Sequence, residues 1–366
     1  MGRKRAPAIH RSACTLPPRM QKLVGGFPLA GIDALLVTQG SDLHYLAQYP
    51  VSDAWLLITA CEVFYITDAR YVSEVAKAVK GVTVVRFEKS LADETMRILH
   101  QAGARSLGVN ERHLTVHQHK QLEALAAGTI TIKAADGCVT SLRAIKEPCE
   151  LRLMRQAIAL NLAAYKYIQR FIKVGVTEKE LLGKLEIFIH RHSVCFSFDP
   201  IIASGPNSAF PHARVTDRRL RPNEPILIDL GIDIKGYKSD LTRMFFLGNM
   251  PVAYRQVLSV VMGAQLEAIK AIKPGVPAND VDAKARSFLK THGLADHFSH
   301  SLGHGVGLDI HEQPRLSVKS EMILQENMVC TVEPGVYFPG KYGIRLEEMV
   351  LITKNGCEVL SVNHNQ

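Results

Sequence analysis

Residues 225–246 read PILIDLGIDIKGYKSDLTRMFF, and this stretch decides how the C-terminal part of the chain folds. Two runs rich in apolar and β-branched residues flank a polar turn centred on Lys235-Gly236. Strand-forming segments on either side of a glycine-containing turn predict a β-hairpin. Each predicted strand carries an aspartate at its inner end, Asp229 on the first and Asp240 on the second, so the register of the hairpin decides whether the two carboxylates meet.

The turn at Lys235-Gly236 predicts a register that pairs Asp229 with Thr242 and Asp240 with Gly231. Because side chains alternate between the faces of a strand, both aspartates then lie on one face as diagonal neighbours. The absence of a side chain on Gly231 would leave room there for an ion. Two close carboxylates repel each other unless one is protonated or a cation lies between them. The alternative is a solvent-exposed polar face, since acidic side chains are mostly exposed.

His304 lies in a glycine-rich segment downstream of the hairpin, residues 301–307, SLGHGVG. The glycines predict close backbone approach and unusual dihedral angles around the imidazole. Imidazole is the commonest nitrogen ligand for protein-bound metals, and the alternative is a structural histidine. His304 is therefore a candidate ligand. His300 and His311 lie close to it in sequence, and His300 is a candidate for lining the same pocket.

Two glutamates follow in segments that predict strands. Glu333 comes directly after the apolar run 328–332, and Glu347 precedes the apolar run 349–352. A glutamate in such a context is seldom buried without a partner. With the two aspartates and His304, these side chains would form a site of four carboxylates and one imidazole. An oxygen-rich donor set of this kind suits Mn²⁺ or a similar ion better than a thiolate zinc site does.

This order of residues resembles the pita-bread metallopeptidases, the family of methionine aminopeptidase, aminopeptidase P and prolidase. The similarity extends from about Phe198 to Thr353. Two further family histidines are matched by His212, in Pro211-His212, and by His311. Agreement in order and context at seven positions is more specific than a single short motif. The metal ligands that the resemblance implies are Asp229, Asp240, His304, Glu333 and Glu347.

The resemblance implies a hydrolase that holds two divalent metal ions, Mn²⁺ first and Co²⁺ or Zn²⁺ as alternatives, and that activates water. Glu333 would be both a ligand and the general base. His212 and His311 would donate hydrogen bonds to the substrate carbonyl and to the tetrahedral intermediate. A free substrate amino group would lie near the carboxylates.

Four other residues are expected to support this site. Arg345 would pair with a ligand carboxylate, and Arg315 would bind the terminal carboxylate of a dipeptide. A solvated surface position is the alternative for both arginines. Thr242, opposite the first aspartate, and His300 would complete the surroundings of the ligands.

The segment before the catalytic region alternates predicted strands and helices, which indicates an α/β domain. It resembles the N-terminal domain of prolidase, aminopeptidase P and creatinase, notably at residues 45–47 (YLA) and 67–71 (TDARY). This extra domain implies an Xaa-Pro peptidase, which acts on short peptides with proline in the second position. The expected organisation is a basic flexible tail (residues 1–20), a creatinase-like α/β domain (21–145) and an α+β pita-bread domain (148–366) whose pseudo-two-fold antiparallel sheet is flanked by helices.

An internal repeat supports the pseudo-two-fold. Residues 173–176 (KVGV) recur as residues 273–276 (KPGV), each between two predicted helices. Thr177 and Glu180 predict a capping box for a helix that ends near His192. The remaining predicted elements are a helix over 150–172, strands over 34–38, 55–59 and 82–87, and helices over 72–79, 91–101 and 116–125.

Composition and charge exclude several classes of protein. Of the formal net charge of +9, five positive charges lie in the first twenty residues (Arg3, Lys4, Arg5, Arg11 and Arg19). Charge confined to a tail, without a recognised motif, argues against nucleic-acid binding. No apolar run approaches the ~20 residues that span a membrane, and no secretory signal is evident. Seven widely spaced cysteines favour reduced thiols and a cytoplasmic location.

Two other classes of function would use the same fold. One is a pita-bread binding protein without turnover, against which the intact ligand set argues. The other is a metal-dependent hydrolase of a non-peptide substrate. The resemblance also implies a homodimer.

Overall fold

The computed structural model describes residues 16–361, in two compact units that divide between Thr140 and Ser141. Most of the predicted basic tail, residues 1–15, lies outside the described residues. The predicted tail extends to residue 20, but helix α1 (Pro18–Gly25) begins earlier. The side chain of Arg19 is buried, and its Nη1 donates to the Tyr45 carbonyl oxygen at 2.5 Å. This arginine therefore belongs to the folded unit.

The first unit is built on a six-stranded mixed sheet. Its strands are β1 (Ala34–Val37), β2 (Ala54–Thr59), β3 (Val63–Thr67), β4 (Thr83–Arg86), β5 (Ser106–Val109) and β6 (Thr131–Ala134). Their order is β4-β3-β2-β1-β5-β6. Every residue of β1 and β2 is buried, as expected for central strands covered on both faces. The three predicted strands are confirmed as β1, β2 and β4, while β3, β5 and β6 are additional.

Helices cover this sheet, and their sequences explain where they begin. The hydroxyl of Ser90 accepts from the Asp93 N–H and starts the fifth helix, and Thr115 with Gln118 forms a capping box for the sixth. The predicted helices 72–79, 91–101 and 116–125 are confirmed. After α1, the helices are α2 (Phe27–Ala30), α3 (Gly40–Ala47), α4 (Val72–Ala78), α5 (Leu91–Ala102), α6 (Val116–Ala126) and α7 (Gly137–Ala144), which contains the unit boundary.

The second unit contains two pairs of long helices and strands that pair only antiparallel within the described residues. The helices are α8 (Pro148–Gln169), α9 (Glu178–His192), α10 (Val252–Ala271) and α11 (Ala278–Thr291). The first-half strands are β7 (Cys195–Phe196), β8 (Ile201–Ser204), β9 (Pro225–Leu230), β10 (Ile232–Ile234), β11 (Tyr237–Lys238) and β12 (Leu241–Phe246). The second-half strands are β13 (Gly303–Gly305), β14 (Glu312–Leu316), β15 (Val329–Val332), β16 (Gly335–Phe338), β17 (Tyr342–Arg345), β18 (Glu348–Thr353) and β19 (Gly356–Val359).

The sheets of the second unit have the orders β12-β9-β8, β11-β10-β7, β14-β13-β15-β18-β19 and β16-β17. This is the predicted pita-bread architecture. The capping box of Thr177 and Glu180 is confirmed at the start of α9, which ends at His192 as predicted. The preceding helix, α8, begins and ends two to three residues earlier than predicted. Among residues 16–361, no helix has the length and apolarity to cross a membrane.

The predicted hairpin exists, but a break divides it between two sheets. Its outer part pairs Pro225–Leu230 with Leu241–Phe246, while its tip pairs in the sheet of β7. Lys235 and Gly236 form the turn with positive φ values of 53° and 87°. The register is the predicted one, with Thr242 opposite Asp229. The break falls at the level of Asp240, which lies between β11 and β12.

Candidate metal centre

The hairpin brings its two aspartates together in the interior. Asp229 and Asp240 expose only 7% and 5% of their surface. The predicted reason for Gly231 is wrong, because a Cβ on this residue would lie 2.0 Å from the Ser239 carbonyl oxygen. Close contact between backbones, rather than space for an ion, therefore requires glycine here.

His304 lies in β13 between two glycines that permit similar contacts. A Cβ on Gly303 would lie 2.0 Å from the Thr331 carbonyl oxygen, and a Cβ on Gly305 would lie 2.1 Å from the Gln313 carbonyl oxygen. The predicted close approach is confirmed. The predicted unusual dihedral angles are wrong, since neither glycine has a positive φ. The His304 backbone N–H donates to Thr331 Oγ1 at 3.0 Å, which anchors the strand beside the imidazole.

Glu333 and Glu347 lie where strands end. Glu333 follows β15, and Glu347 occupies the gap between β17 and β18 rather than the interior of one strand. The hydroxyl of Thr331 donates to Glu333 Oε1 at 3.1 Å, and that of Thr242 donates to Glu347 Oε2 at 2.7 Å. The hydroxyl groups of Thr331, on β15, and Thr242, on β12, thus orient the two carboxylates.

The candidate ligands converge. His304 Nε2 lies 3.3 Å from Glu333 Oε1 and 3.6 Å from Asp240 Oδ2. Single donor atoms of Asp240, His304 and Glu347 lie within 4.8 Å of one another. Asp229 Oδ1 is buried without a hydrogen-bond partner among the described residues. A cation at this point would coordinate this carboxylate oxygen, which has no hydrogen-bond partner within the described residues.

One buried arginine faces the four carboxylates. Arg345 Nη2 donates to Asp229 Oδ2 at 2.6 Å, Nε donates to Thr242 Oγ1 at 3.0 Å, and Nη1 donates to the Tyr337 hydroxyl at 2.8 Å. Arg345 exposes 3% of its surface, which excludes the solvated alternative. A single guanidinium cannot balance four buried carboxylates, and an oxygen-rich set of this kind fits a divalent ion.

The electrostatics of the ligands agree with this donor set. Burial raises the pKa of Asp229, Asp240 and Glu347, and repulsion from neighbouring carboxylates raises each further. Burial also disfavours ionised Glu333, but the hydrogen bond and the charge of His304, together with the charges of His300 and Arg345, outweigh burial and lower the pKa of Glu333 to about 2. The same contact raises the pKa of His304 against the effect of burial. In the absence of a metal, the raised pKa values favour protonated carboxyl groups, and a bound cation would displace these protons.

Three further histidines surround the ligands. The His311 ring packs edge-on against His304, with centroids 4.3 Å apart. Burial lowers the pKa of His311, so its imidazole is neutral at pH 7. His212 is exposed and lines the same cavity. His300 Nδ1 donates to the Ser301 carbonyl oxygen at 2.8 Å, which leaves Nε2 to accept from a hydroxyl 3.0 Å away.

That hydroxyl belongs to Tyr337, which the sequence analysis did not identify. Tyr337 connects His300 to Arg345, and through it to the ligand Asp229. The signal that could have revealed it is its place four residues after Glu333, in a strand that continues directly from the ligand. Burial raises its pKa to about 12, so the hydroxyl keeps its proton.

A buried ion-pair cluster beside His311 was also not predicted. Arg143 Nη2 donates to Glu312 Oε2 at 2.5 Å and to Asp309 Oδ2 at 2.8 Å, and Lys146 Nζ donates to Glu312 Oε1 at 2.6 Å. The side chains of Arg143 and Lys146 expose only 4% and 1%. Two cations balance two carboxylates, and together they fix both sides of the loop that carries His311. Its signal in the sequence is the basic pair at 143 and 146, next to the predicted boundary between the two domains.

Arg315 lies on β14 directly opposite His304, so its side chain leaves the sheet beside the imidazole. It is exposed, and its side chain makes no hydrogen bond or ion pair within residues 16–361. The candidate ligands, the three histidines, Arg315 and Arg345 all line one cavity of about 870 Å³, whereas Thr242 lies behind the ligands. A cavity of this size accommodates a small peptide.

The chain belongs to metallopeptidase family M24, whose model matches residues 152–354. A second model, the creatinase/prolidase N-terminal domain, matches residues 19–145. The class defined by the fold and the site is therefore a metallopeptidase with a creatinase-type N-terminal domain.

Individual relatives are similar over nearly the whole chain. An Xaa-Pro dipeptidase of Pyrococcus horikoshii is 33% identical over 94% of this chain and 96% of its own length. The structure of an Xaa-Pro dipeptidase from Bacillus anthracis superposes with a TM-score of 0.91 at 32% identity, covering 95% of this chain and 98% of that one. The structure of an X-Pro aminopeptidase from Thermotoga maritima gives a TM-score of 0.85 at 30% identity, covering 93% and 99%.

Proposed function

We propose that the protein is a metal-dependent exopeptidase that cleaves the bond between an N-terminal residue and proline, with Xaa-Pro dipeptides as its substrates. The observation that carries this proposal is the convergence of one imidazole and four carboxylates in a single cavity. The similarity of the chain to proteins named as Xaa-Pro dipeptidases supports Xaa-Pro dipeptides as the substrates.

We propose two divalent ions, Mn²⁺ before Co²⁺ or Zn²⁺. Asp240, His304 and Glu347 already form a three-donor group, and Asp229 and Glu333 supply donors for a second position. Hard carboxylate oxygens favour Mn²⁺ over softer alternatives. Such ions, when bound, lower the pKa of water towards ~7 and polarise a carbonyl group.

The protein's own residues would then position the substrate and move a proton. Glu333 stays ionised because its pKa is low, and the family resemblance assigns to this carboxylate the role of accepting a proton from the attacking water. His311 is neutral and can donate an N–H to the developing oxyanion, while His212, exposed in the cavity, can donate to the substrate carbonyl. Arg345 holds Asp229 in place, and Thr242 does the same for Glu347.

A second candidate is Xaa-Pro aminopeptidase activity on longer peptides. The similarity to the X-Pro aminopeptidase of Thermotoga maritima favours it. The exposure of His212, His311 and Arg315 on the cavity wall also favours it, because an open wall leaves a path for a longer chain.

The remaining predictions about assembly and location stay proposals. The family resemblance is the support for a homodimer, which light scattering of the purified protein would test. The cytoplasmic location rests on cysteine spacing, and nucleic-acid and membrane partners are not proposed. A binding protein without turnover and a hydrolase of a non-peptide substrate are the alternatives.

The test compares an Xaa-Pro dipeptide with an Xaa-Pro-Xaa tripeptide, using metal-free protein with Mn²⁺ added back. Turnover that requires the metal and falls by at least about 100-fold in Glu333→Gln would support the peptidase. Glu326→Gln, an exposed glutamate outside the cavity, is the matched control and should retain full activity. Preference for the dipeptide supports the first candidate, and preference for the tripeptide supports the second. Bound Mn²⁺ without turnover of either peptide would contradict both.

A further inference from the structure

Arg214 is a second exposed arginine on the wall of the catalytic cavity. Its side chain makes no hydrogen bond or ion pair within the described part of the chain. Nothing in the sequence analysis assigns it a role. An arginine in a binding cavity without an internal partner is available to bind an anionic group of a ligand.

The backbone around Arg214 is held firmly. Asn207 Nδ2 donates both to the Arg214 carbonyl oxygen at 3.2 Å and to Glu178 Oε2 at 2.9 Å. The same Glu178 carboxylate accepts from the Thr216 N–H at 3.0 Å. Because Glu178 is fully buried, it fixes the loop on both sides of Arg214. The guanidinium is therefore carried by a rigid support.

Arg214 is placed beside the proposed substrate carbonyl. His212 and Arg214 are exposed and line the cavity, while Ala213 between them is 7% exposed. Both side chains therefore face the same cavity, and the Cα atoms of His212 and Arg214, two residues apart, are at most about 7 Å from each other. A carboxylate one residue beyond a carbonyl bound by His212 lies within reach of a long arginine side chain.

Arg315 reaches the same cavity from the other half of the unit, opposite His304. Two exposed acids, Glu186 and Asp199, also line the cavity, and neither forms an ion pair with either arginine. Both guanidinium groups therefore remain available. Two arginines that approach from different segments, Arg214 from a loop and Arg315 from β14, can hold one carboxylate in a defined position.

We propose that Arg214 determines substrate specificity by binding, with Arg315, the free C-terminal carboxylate of a dipeptide. The inference deepens the proposed function and rests on it. It makes a dipeptide with a free carboxylate the preferred substrate over the same dipeptide with its C-terminus amidated. The amide has nearly the same size but lacks the negative charge.

The experiment measures kcat/KM for Xaa-Pro and for Xaa-Pro-amide with Mn²⁺-loaded protein. The ratio of the two values should favour the free acid in the wild type and fall by about fivefold or more in Arg214→Gln, mainly through a higher KM for the acid. Arg214→Lys should recover only part of the ratio, because lysine lacks the planar fork of donors. Arg221→Gln removes an exposed charge from the same loop outside the cavity and should leave the ratio unchanged.

Ionic strength gives an independent readout. Raising salt to ~1 M shortens the Debye length to about 3 Å, so the wild-type preference for the acid should weaken and that of Arg214→Gln should change less. Equal loss on acid and amide in Arg214→Gln would overturn the inference, because it would indicate a general effect on the loop. No change on either substrate would overturn it as well.

Failure of the proposed function can be distinguished from failure of the inference about Arg214. If the wild type binds Mn²⁺ but hydrolyses neither compound, the peptidase proposal fails. The affinities of Glu333→Gln for Xaa-Pro and its amide, measured by titration calorimetry, then decide the inference without turnover. A preference for the acid that is lost on adding Arg214→Gln supports it, and equal or absent binding of both compounds overturns it.

Discussion

Residues 148–246 and residues 252–353 of the second unit each begin with two long helices, and the backbone that connects the two helices is similar in both halves. Gly175 and Gly275 have φ values of 88° and 87°, and their N–H groups donate to the Leu220 and Leu324 carbonyl oxygens at 2.9 Å each. Isolated bridges join Thr177 to Arg219 and Pro277 to Ile323. The repeat of four residues in the sequence therefore marks a repeat of backbone hydrogen bonds.

The halves differ in how they hold the loops that carry the site. In the first half, Glu178 accepts from neutral groups of Ser204, Asn207 and Thr216. In the second half, Glu312 lies between two buried cations, Arg143 and Lys146. The carboxylate of Glu178 is stabilised by hydrogen bonds from neutral groups, and that of Glu312 is stabilised by ion pairs. The two halves therefore hold their site loops by different electrostatic means, and the free-energy costs of disturbing the two glutamates should differ.

The halves also contribute different candidate ligands to one cavity. The first supplies two aspartates from one hairpin, and the second supplies His304 from within β13 and Glu333 and Glu347 from the ends of other strands. If both halves are needed to bind the ion, loss of one acid from either should abolish metal binding, which is the largest effect expected. Asp240→Asn should lower turnover by well over about 100-fold, the upper range seen for residues that only support a ligand.

Thermal unfolding with and without Mn²⁺ tests the predicted loss of metal binding without the use of a substrate. Wild-type protein should gain about 2.7 kcal/mol when the free ion is at a hundred times its Kd, and Asp240→Asn should gain little. Burial and Glu347 raise the pKa of Asp240, so the metal-free variant should be no less stable than metal-free wild type. Asp217→Asn, an exposed acid paired with Lys179, should behave as wild type. A full metal-dependent shift in Asp240→Asn would show that the ion binds without this acid of the first half.

The two loop-holding glutamates provide the next largest effect. Glu312→Gln removes the charge between two buried cations, and breaking such a pair costs about 3–5 kcal/mol. Glu178→Gln removes a charge that only neutral donors contact, so its cost should be nearer 1–3 kcal/mol. Urea unfolding of the metal-free variants measures both. A larger loss for Glu178→Gln would refute the distinction between the halves.

Features of the two halves could be predicted from the sequence only where a short local pattern determines them. The turn at Lys235-Gly236 sets the hairpin register, which brings Asp229 and Asp240 together. The break of the hairpin into two sheets could not be predicted, because it depends on contacts between Gly231 and Ser239 and with the strand β7.

Residues that act through distant contacts were missed for the same reason. Arg143 and Lys146 lie more than 160 positions before Glu312, and no periodicity connects them. Tyr337 reaches Arg345 across two paired strands, which a linear motif does not show. Arg345 was anticipated only because a family resemblance pointed to its neighbour Glu347. The first-unit strands β3 and β5 were missed because short buried runs carry no alternation, whereas β6 is a four-residue, largely exposed strand at the edge of the sheet.

The smallest expected effect on stability concerns the N-terminus of the second long helix in each half, α9 and α11. α9 begins with the capping box of Thr177 and Glu180, whereas α11 begins after Pro277 without a side-chain cap. Thr177→Ala should therefore cost about 1 kcal/mol at pH 7, measured by urea unfolding. The Thr177 N–H, bound by Glu180, lowers the pKa of that carboxyl below its ordinary value, so its contribution is present above pH 4.5 and is lost as pH falls through the lowered value. Glu180→Gln should remove this acid dependence. If it persists in the variant, the cap of the first half does not contribute to the difference between the halves.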